Sequence, residues 1–315
     1  MTNLRLGVLL WPQGTDWDWF EASAKRVEAL GYEHLWTWDH LYAIFGDPYQ
    51  PIFEGWTTLA AWAKVTTRVQ LGLLVGANTF RTPGLVAKEA VTLDHLSGGR
   101  AILGLGGAWF GLEHQAHGIE FGRSPGERLD WLDESVAAVR TLLDGGRVTS
   151  PPGGHYAFDD LVVLPRPVQP RVPIMIGGSG ERKTLGTVAK YADMWNANGT
   201  VEVLRHKEEV LRRHCEEVGR DPAQIERTLG LKPVIRDTPQ QARGAWEEMM
   251  ALNRTPMSEV EDDTTFWVGT AEEIAERMRA AREIGFDTFI AEVPAPYDEE
   301  TLERWIGEVK AMVEA

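Results

Sequence analysis

The sequence predicts an α/β protein folded as a single (β/α)8 TIM barrel over residues 1–315, with insertions on the face where the strands end. Three observations predict it. Short β-rich runs alternate with longer amphipathic segments along the whole chain. The alternation is even and reaches eight strands, a regularity that an open doubly wound sheet would not need. Finally, 315 residues with 43% hydrophobic content suffice for one large core.

Taken in order, strand 4–10 leads to a helix at 17–30, strand 34–38 to a helix at 56–65, and strand 69–75 to a helix at 84–96. Strand 101–105 precedes a long helix at 125–143, strand 173–176 a helix at 180–190, and strand 194–196 the charged helix 201–218. Strand 227–234 is followed by helices at 239–250 and 272–284, and the eighth strand, 286–293, by a closing helix at 298–313. Two stretches break the rhythm: 145–164, rich in Gly, Pro and aromatic residues, and 253–267, acidic and irregular. Both read as insertions beyond the strand ends.

The formal net charge of −15 argues against nucleic acid or an anionic membrane as partner, since both reward a positive field. A small-molecule substrate is expected. The lone cysteine, Cys215, allows no intramolecular disulfide and no cysteine-based zinc site, which suits a cytoplasmic location. The first eleven residues lack a secretory pattern, and no run approaches ~20 uninterrupted apolar residues, so a soluble protein is expected.

In such barrels the chemistry sits on the loops after the strands. The first strand runs into Trp11 and the second into Trp38-Asp39-His40, placing aromatic walls, an acid and an imidazole on one rim. The bland alternative is an Asp in a turn and a His that packs. After the fourth strand, Gly104-Leu105-Gly106-Gly107-Ala108-Trp109 leaves room for a ligand near the backbone, but fails as a dinucleotide fingerprint because no helix is read directly after it. After the fifth, Gly177-Gly178-Ser179-Gly180 leads into a helical pattern whose free N–H groups would bind a phosphate, with Arg182 or Lys183 as cation; a plain tight turn is the alternative. Asn78, Asn196 and Asn198 offer amides at the same rim. Trp62, Trp131, Trp246 and Trp305 lie in helical patterns and read as packing residues. No nucleophile elbow, HExxH helix or Walker loop occurs, and the remaining histidines form no metal set.

These motifs, in this order, resemble the luciferase-like flavin monooxygenases and the related coenzyme F420-dependent reductases and dehydrogenases. The resemblance rests on Trp38-Asp39-His40, Val69-Gln70-Leu71-Gly72, Asp94 to Arg100, Gly104 to Trp109 with Glu113, Ile174 to Gly180, Tyr191 to Asn196, and Val268 to Ile274. It covers essentially the whole chain.

The resemblance implies a deazaflavin or flavin ring lying across the barrel mouth against a bulge in the third strand, at Leu74, Val75 and Gly76. A cis peptide is implied between Leu74 and Val75 or one residue later. It implies further cofactor contacts from Asn78, Gly106, Gly107, Ala108, Gly177, Gly178, Ser179, Gly180 and Lys183, and a basic groove drawing on Arg81, Arg123, Arg182 and Lys183. Asp39 and His40 become the catalytic pair, His40 as acid or base, with Trp11, Trp38 and Trp109 enclosing the substrate. The implied reaction is hydride transfer between F420 and a small organic substrate. An FMN-dependent monooxygenase using O2 and a non-catalytic flavin-binding barrel are the alternatives. The loops at 47–53 and 145–164 would form a lid, and related barrels imply a homodimer. In one respect the chain departs from the resemblance: Trp109 stands where the glucose-6-phosphate dehydrogenase branch has a glutamate, which argues against sugar-phosphate oxidation.

Overall fold

The computed structural model describes residues 4–315. Eight parallel strands close into a barrel: β1 (Arg5–Leu10), β2 (His34–Thr37), β3 (Gln70–Leu73) with its short continuation β4 (Gly76–Ala77), β5 (Ala101–Gly106), β6 (Ile174–Gly177), β7 (Met194–Ala197), β8 (Glu226–Ile235) and β10 (Thr288–Val293). Neighbours follow chain order, and closure comes from β10, which pairs with β1 over six residues and with β8 on its other edge. The (β/α)8 barrel expected from the sequence is the fold observed.

Helices α1 (Trp17–Leu30), α2 (Gly55–Val65), α3 (Pro83–Ser97), α5 (Pro125–Leu143), α6 (Thr184–Tyr191), α7 (Val201–Val218), α8 (Pro239–Leu252) and α9 (Ala271–Arg282) surround the strands, and α10 (Glu299–Arg304) runs through a π turn into α11 (Lys310–Glu314). Most begin where a side chain can satisfy the first free N–H groups: Asp16, Ser124, Thr200 and Thr238 each accept from a first-turn amide, and Thr270 with Glu273 forms a capping box. Their apolar faces and the outward strand residues make one large core. A smaller cluster, Leu9, Trp11, Trp36, Trp38, Leu74, Ile102, Met175, Met194 and Ile290, fills the barrel interior. Its N-terminal end is closed by Arg5, which bonds Glu226 at 2.8 Å, Gln70 at 2.7 Å and His34.

The structure corrects three readings. Residues 253–267 are not wholly irregular: β9 (Phe266–Gly269) pairs in parallel with the end of β8. A helix does follow Trp109 closely, α4 (Gly111–His117). And α6 starts at Thr184 rather than near residue 180, after a turn at 181–183. Segment 145–164 is held by an isolated bridge between Val148 and Leu161 and by Glu134, which accepts from the Tyr156 N–H. No described helix is long and apolar enough to cross a membrane.

Candidate active site

A cavity of about 760 Å³ opens at the C-terminal ends of the strands. From the predicted residues it gathers Trp38, Asp39, His40, Leu74, Val75, Gly76, Gly106, Gly107, Ala108, Trp109, Gly177, Gly178 and Gly180. The structure therefore assembles on one surface most of what the motifs suggested.

The third strand breaks between β3 and β4, and the Leu74–Val75 peptide is cis, at the position the resemblance implied. The break is held by hydrogen bonds. Leu74 donates its N–H to the Thr37 carbonyl at 2.9 Å, Ala77 donates to Asp39 Oδ2 at 2.9 Å, and Asn78 to the Gly106 carbonyl at 3.0 Å. The glycines of β5 and β6 serve this bulge first. A Cβ on Gly104 would lie 2.0 Å from the Leu73 carbonyl oxygen, and Cβ atoms on Gly106 and Gly177 would lie 2.7 and 2.8 Å from Val75 Cγ2. They receive the Val75 side chain before any ligand approaches.

Asp39 is only 2% exposed, and both its oxygens are engaged. Arg81 Nη1 reaches them at 2.8 and 3.1 Å, while its other nitrogens reach Glu54 at 2.7 Å and Glu89 at 3.3 Å. Burial pushes the Asp39 carboxyl up, and the Arg81 guanidinium and the Ala77 N–H oppose that push. This geometry ties Asp39, at the cavity wall, to the bulge through Ala77 and Arg81. It also removes Arg81 from the expected basic groove.

His40 stands differently. Its Nδ1 lies 2.9 Å from Glu113 Oε1, whose other oxygen accepts the Leu41 N–H at 2.8 Å. With the Nδ1 proton donated to that carboxylate, Nε2 is left as an acceptor with no partner among the described residues. Trp109 meets the imidazole edge-on at 5.7 Å. Glu113 is carried by α4, so the helix missed in the sequence supplies the group that orients the His40 ring. The Glu113 position was visible as part of a motif, but its role was not.

Other expected residues lie elsewhere. Trp11 is fully buried, stacked on Phe45 at 4.3 Å, and belongs to the packing beneath the cavity, not to its lining. Asn78 is buried with its amide donating to the Tyr156 hydroxyl at 3.0 Å, which ties the 145–164 segment to the third strand. Lys183 pairs with Asp130 at 2.6 Å and donates to the Gly126 carbonyl, outside the cavity. Arg123 is almost wholly exposed and pairs with Glu127, and Arg182 lines a separate groove beside α5. Ser179 buries its hydroxyl without a hydrogen-bond partner.

The cation that does line the cavity near the glycines is Arg128 on α5. It donates to the carbonyls of Gly107, Ala108 and Phe121, stacks on the Phe121 ring at 3.8 Å, and has no carboxylate partner among the described residues. The backbone N–H groups of Ser179 and Gly180 likewise donate to no described protein acceptor, whereas that of Gly178 is taken by the Asn196 carbonyl. Arg128 and Gly180 thus line one cavity, a guanidinium without a carboxylate and an amide without an acceptor, the kind of groups that suit an anion. On the far wall, Lys232 and Glu292 also line the cavity, and nothing in the sequence had marked them. Among the described residues, no group of His, Cys, Asp and Glu is arranged to hold a metal ion.

Comparison with known proteins agrees with this architecture. A family model described as luciferase-like monooxygenase matches residues 5–288. The F420-dependent glucose-6-phosphate dehydrogenase of Kineococcus radiotolerans is 32% identical over 226 residues, 70% of this chain and 64% of that one. The chain spans about 65% of the length of the curated relatives that it matches. Among solved structures, an F420-dependent secondary alcohol dehydrogenase in complex with an F420–acetone adduct has a TM-score of 0.84 at 18% identity, with 99% of both chains covered. A monooxygenase from Streptomyces bottropensis has a TM-score of 0.78 at 22% identity, again with 99% of both chains covered.

Proposed function

The chain belongs to the luciferase-like monooxygenase family, and from that premise we propose that it is an oxidoreductase transferring a hydride between coenzyme F420 and a small organic substrate. The observation that carries this reading is the His40–Glu113 pair beside the Leu74–Gly76 bulge in one cavity with Arg128. Relatives named as F420-dependent dehydrogenases support the choice of cofactor.

Bound F420 supplies a deazaflavin ring that takes up or gives back a hydride. Leu74, Val75 and Gly76 would back that ring, and Gly106, Gly107 and Ala108 would edge it. Arg128 and the free N–H of Gly180, both lining the cavity, would hold its phosphate, with the free Ser179 N–H next in the chain. His40 Nε2 takes the proton leaving a substrate hydroxyl as the carbon gives up its hydride, and returns it in the reverse direction. Glu113 holds the imidazole in the required tautomer, and Trp38, Phe45 and Trp109 exclude water. Asp39 acts through Ala77 and Arg81 by fixing the bulge. A homodimer and a cytoplasmic location, implied by the resemblance and by the single cysteine, complete the proposal.

The test is titration of the purified protein with F420 and with FMN, followed by fluorescence and calorimetry. We expect stoichiometric F420 binding and hydride exchange with a secondary alcohol. Tight FMN with no F420 binding would instead favour the monooxygenase reading, which the family model and the likeness to a monooxygenase fold keep as the second choice. F420 binding with no turnover of any alcohol or carbonyl compound would point to a non-catalytic barrel.

A further inference from the structure

Opposite the bulge, four places around the barrel from β3, strand β8 sets Lys232 into the cavity wall, and its neighbour β10 sets Glu292 there. Asn196 of β7 joins them. Glu292 and Asn196 share the space above Gly230: a Cβ on that glycine would lie 2.9 Å from Glu292 Oε1 and 3.6 Å from the Asn196 amide nitrogen. Any side chain at residue 230 would displace the carboxyl group.

Glu292 accepts no hydrogen bond from any described residue. The nearest cation, Lys232 Nζ, stands 3.8 Å from Oε2, beyond hydrogen-bond range. That ammonium donates to Thr265 Oγ1 at 2.7 Å, lies 3.5 Å from Asp263 Oδ2, and is flanked by the Phe45 and Phe266 rings at 5.6 and 5.1 Å. One cation therefore faces two carboxylates, and the local balance is negative. Burial pushes the Glu292 carboxyl up, with Lys232 opposing, as expected of an acid that lacks its donors. A carboxyl group left open on a binding surface favours a ligand that brings the missing donor.

We propose that Glu292, with Asn196 and Lys232 around it, anchors the far end of the substrate. It thereby selects substrates that present a hydroxyl or ammonium group there and rejects those carrying a phosphate or carboxylate. The inference rests on the hydride-transfer reading and adds the substrate class to it. An ammonium or hydroxyl donates directly to Oε1 or Oε2. A phosphate would enter a wall whose only lysine is already outnumbered by Glu292 and Asp263.

Three probes that share one secondary alcohol test it: 1-amino-2-propanol, propane-1,2-diol and 2-hydroxypropyl phosphate, each titrated into the protein–F420 complex by calorimetry and assayed for F420 reduction. The amine should bind about tenfold or more tighter than the phosphate, with the diol between them. Glu292→Gln should weaken the amine by about tenfold through KM, with kcat and F420 affinity nearly unchanged. Glu292→Lys should reverse the order of amine and phosphate. Preference of the wild-type complex for the phosphate, failure of the amine to bind it, or an unchanged amine affinity in Glu292→Gln would each overturn the proposal. F420 affinity, read without probes from deazaflavin fluorescence, stands apart. Its absence refutes the cofactor reading, whereas intact F420 binding with a phosphate preference refutes the substrate class alone.

Discussion

The two sides of the cavity solve opposite problems. On the side of β2, β3, β4 and β5 the backbone is irregular, yet the groups that hold its shape are answered within the protein, namely both oxygens of Asp39, both oxygens of Glu113, and the N–H groups of Leu74, Ala77 and Asn78, although the Asn78 side-chain oxygen has no partner among the described residues. On the side of β8 and β10 the strands are regular and paired in register, yet Glu292 is left without a donor. The difference teaches which side is prepared in advance. An irregular backbone with closed hydrogen bonds holds its shape for a constant ligand, while a regular strand bearing an open side chain leaves the recognition to whatever binds.

The contrast is most severely tested at His40. His40→Ala removes the Nε2 that faces the cavity beside the bulge and should lower hydride transfer in single turnover by about 10²- to 10⁴-fold. F420 affinity should change by less than about threefold, because the bulge is held by Asp39 and the backbone and not by the imidazole. An unchanged rate would return His40 to a packing role and leave the prepared side without its chemistry. Next in size is Gly104→Ala. Its methyl group would meet the Leu73 carbonyl at 2.0 Å, a backbone atom that can yield only if the bulge moves. A loss of about 1–3 kcal/mol in denaturant unfolding is expected, together with weaker F420 binding. Full stability in that variant would mean the bulge is less tightly held than its contacts indicate. Arg128→Met should then weaken F420 by about tenfold while leaving kcat at saturating cofactor intact, since charge-assisted hydrogen bonds contribute about 1.5–3 kcal/mol. A kcat effect without an affinity effect would move the anionic group away from this residue.

The same contrast decides how much could be read from the sequence. The eight strands were legible because they are apolar runs buried on both faces, and helices such as α1, α5 and α7 because a capping residue and periodic apolar positions mark their ends. Helix α4 was not, since it has seven residues and Phe110 at its N-cap makes no side-chain cap. In the site, Asp39 and His40 stood out because they follow a strand directly, and Leu74 to Gly76 through the family resemblance. Glu113, Arg128, Lys232 and Glu292 did not, because their roles depend on which partner reaches them in space. Arg128 sits in the same charged helix as Arg140, which pairs with Asp193 at 2.5 Å, and no one-dimensional pattern separates the cation with a carboxylate from the one without. Trp11 erred the other way: position after a strand suggested a wall, but the ring turns inward to fill the barrel.

The smallest expected effect lies behind the prepared side, where one guanidinium holds three carboxylates. Arg81 answers Asp39, Glu54 and Glu89, and Glu89 has the longest of these contacts, 3.3 Å. Burial raises the Glu89 carboxyl from its ordinary 4.5 to about 7; Arg81 opposes the rise, and Asp39 and Glu54 add to it. The folded protein thus binds this proton more tightly than the unfolded chain. Its contribution to stability is complete below pH 4.5 and is lost as pH rises through about 7. Glu89→Gln cannot titrate, so subtracting wild-type Tm from the variant's cancels the groups that Glu89 does not touch, including His34, whose buried imidazole is held down to about 3 and acts with the opposite sign. That difference should be flat below pH 4.5 and climb, by a few degrees at most, between 4.5 and 7. A difference that stays flat across this window would show that Arg81 satisfies all three carboxylates equally, and that even the charged layer beneath the bulge is as fully closed as its hydrogen bonds.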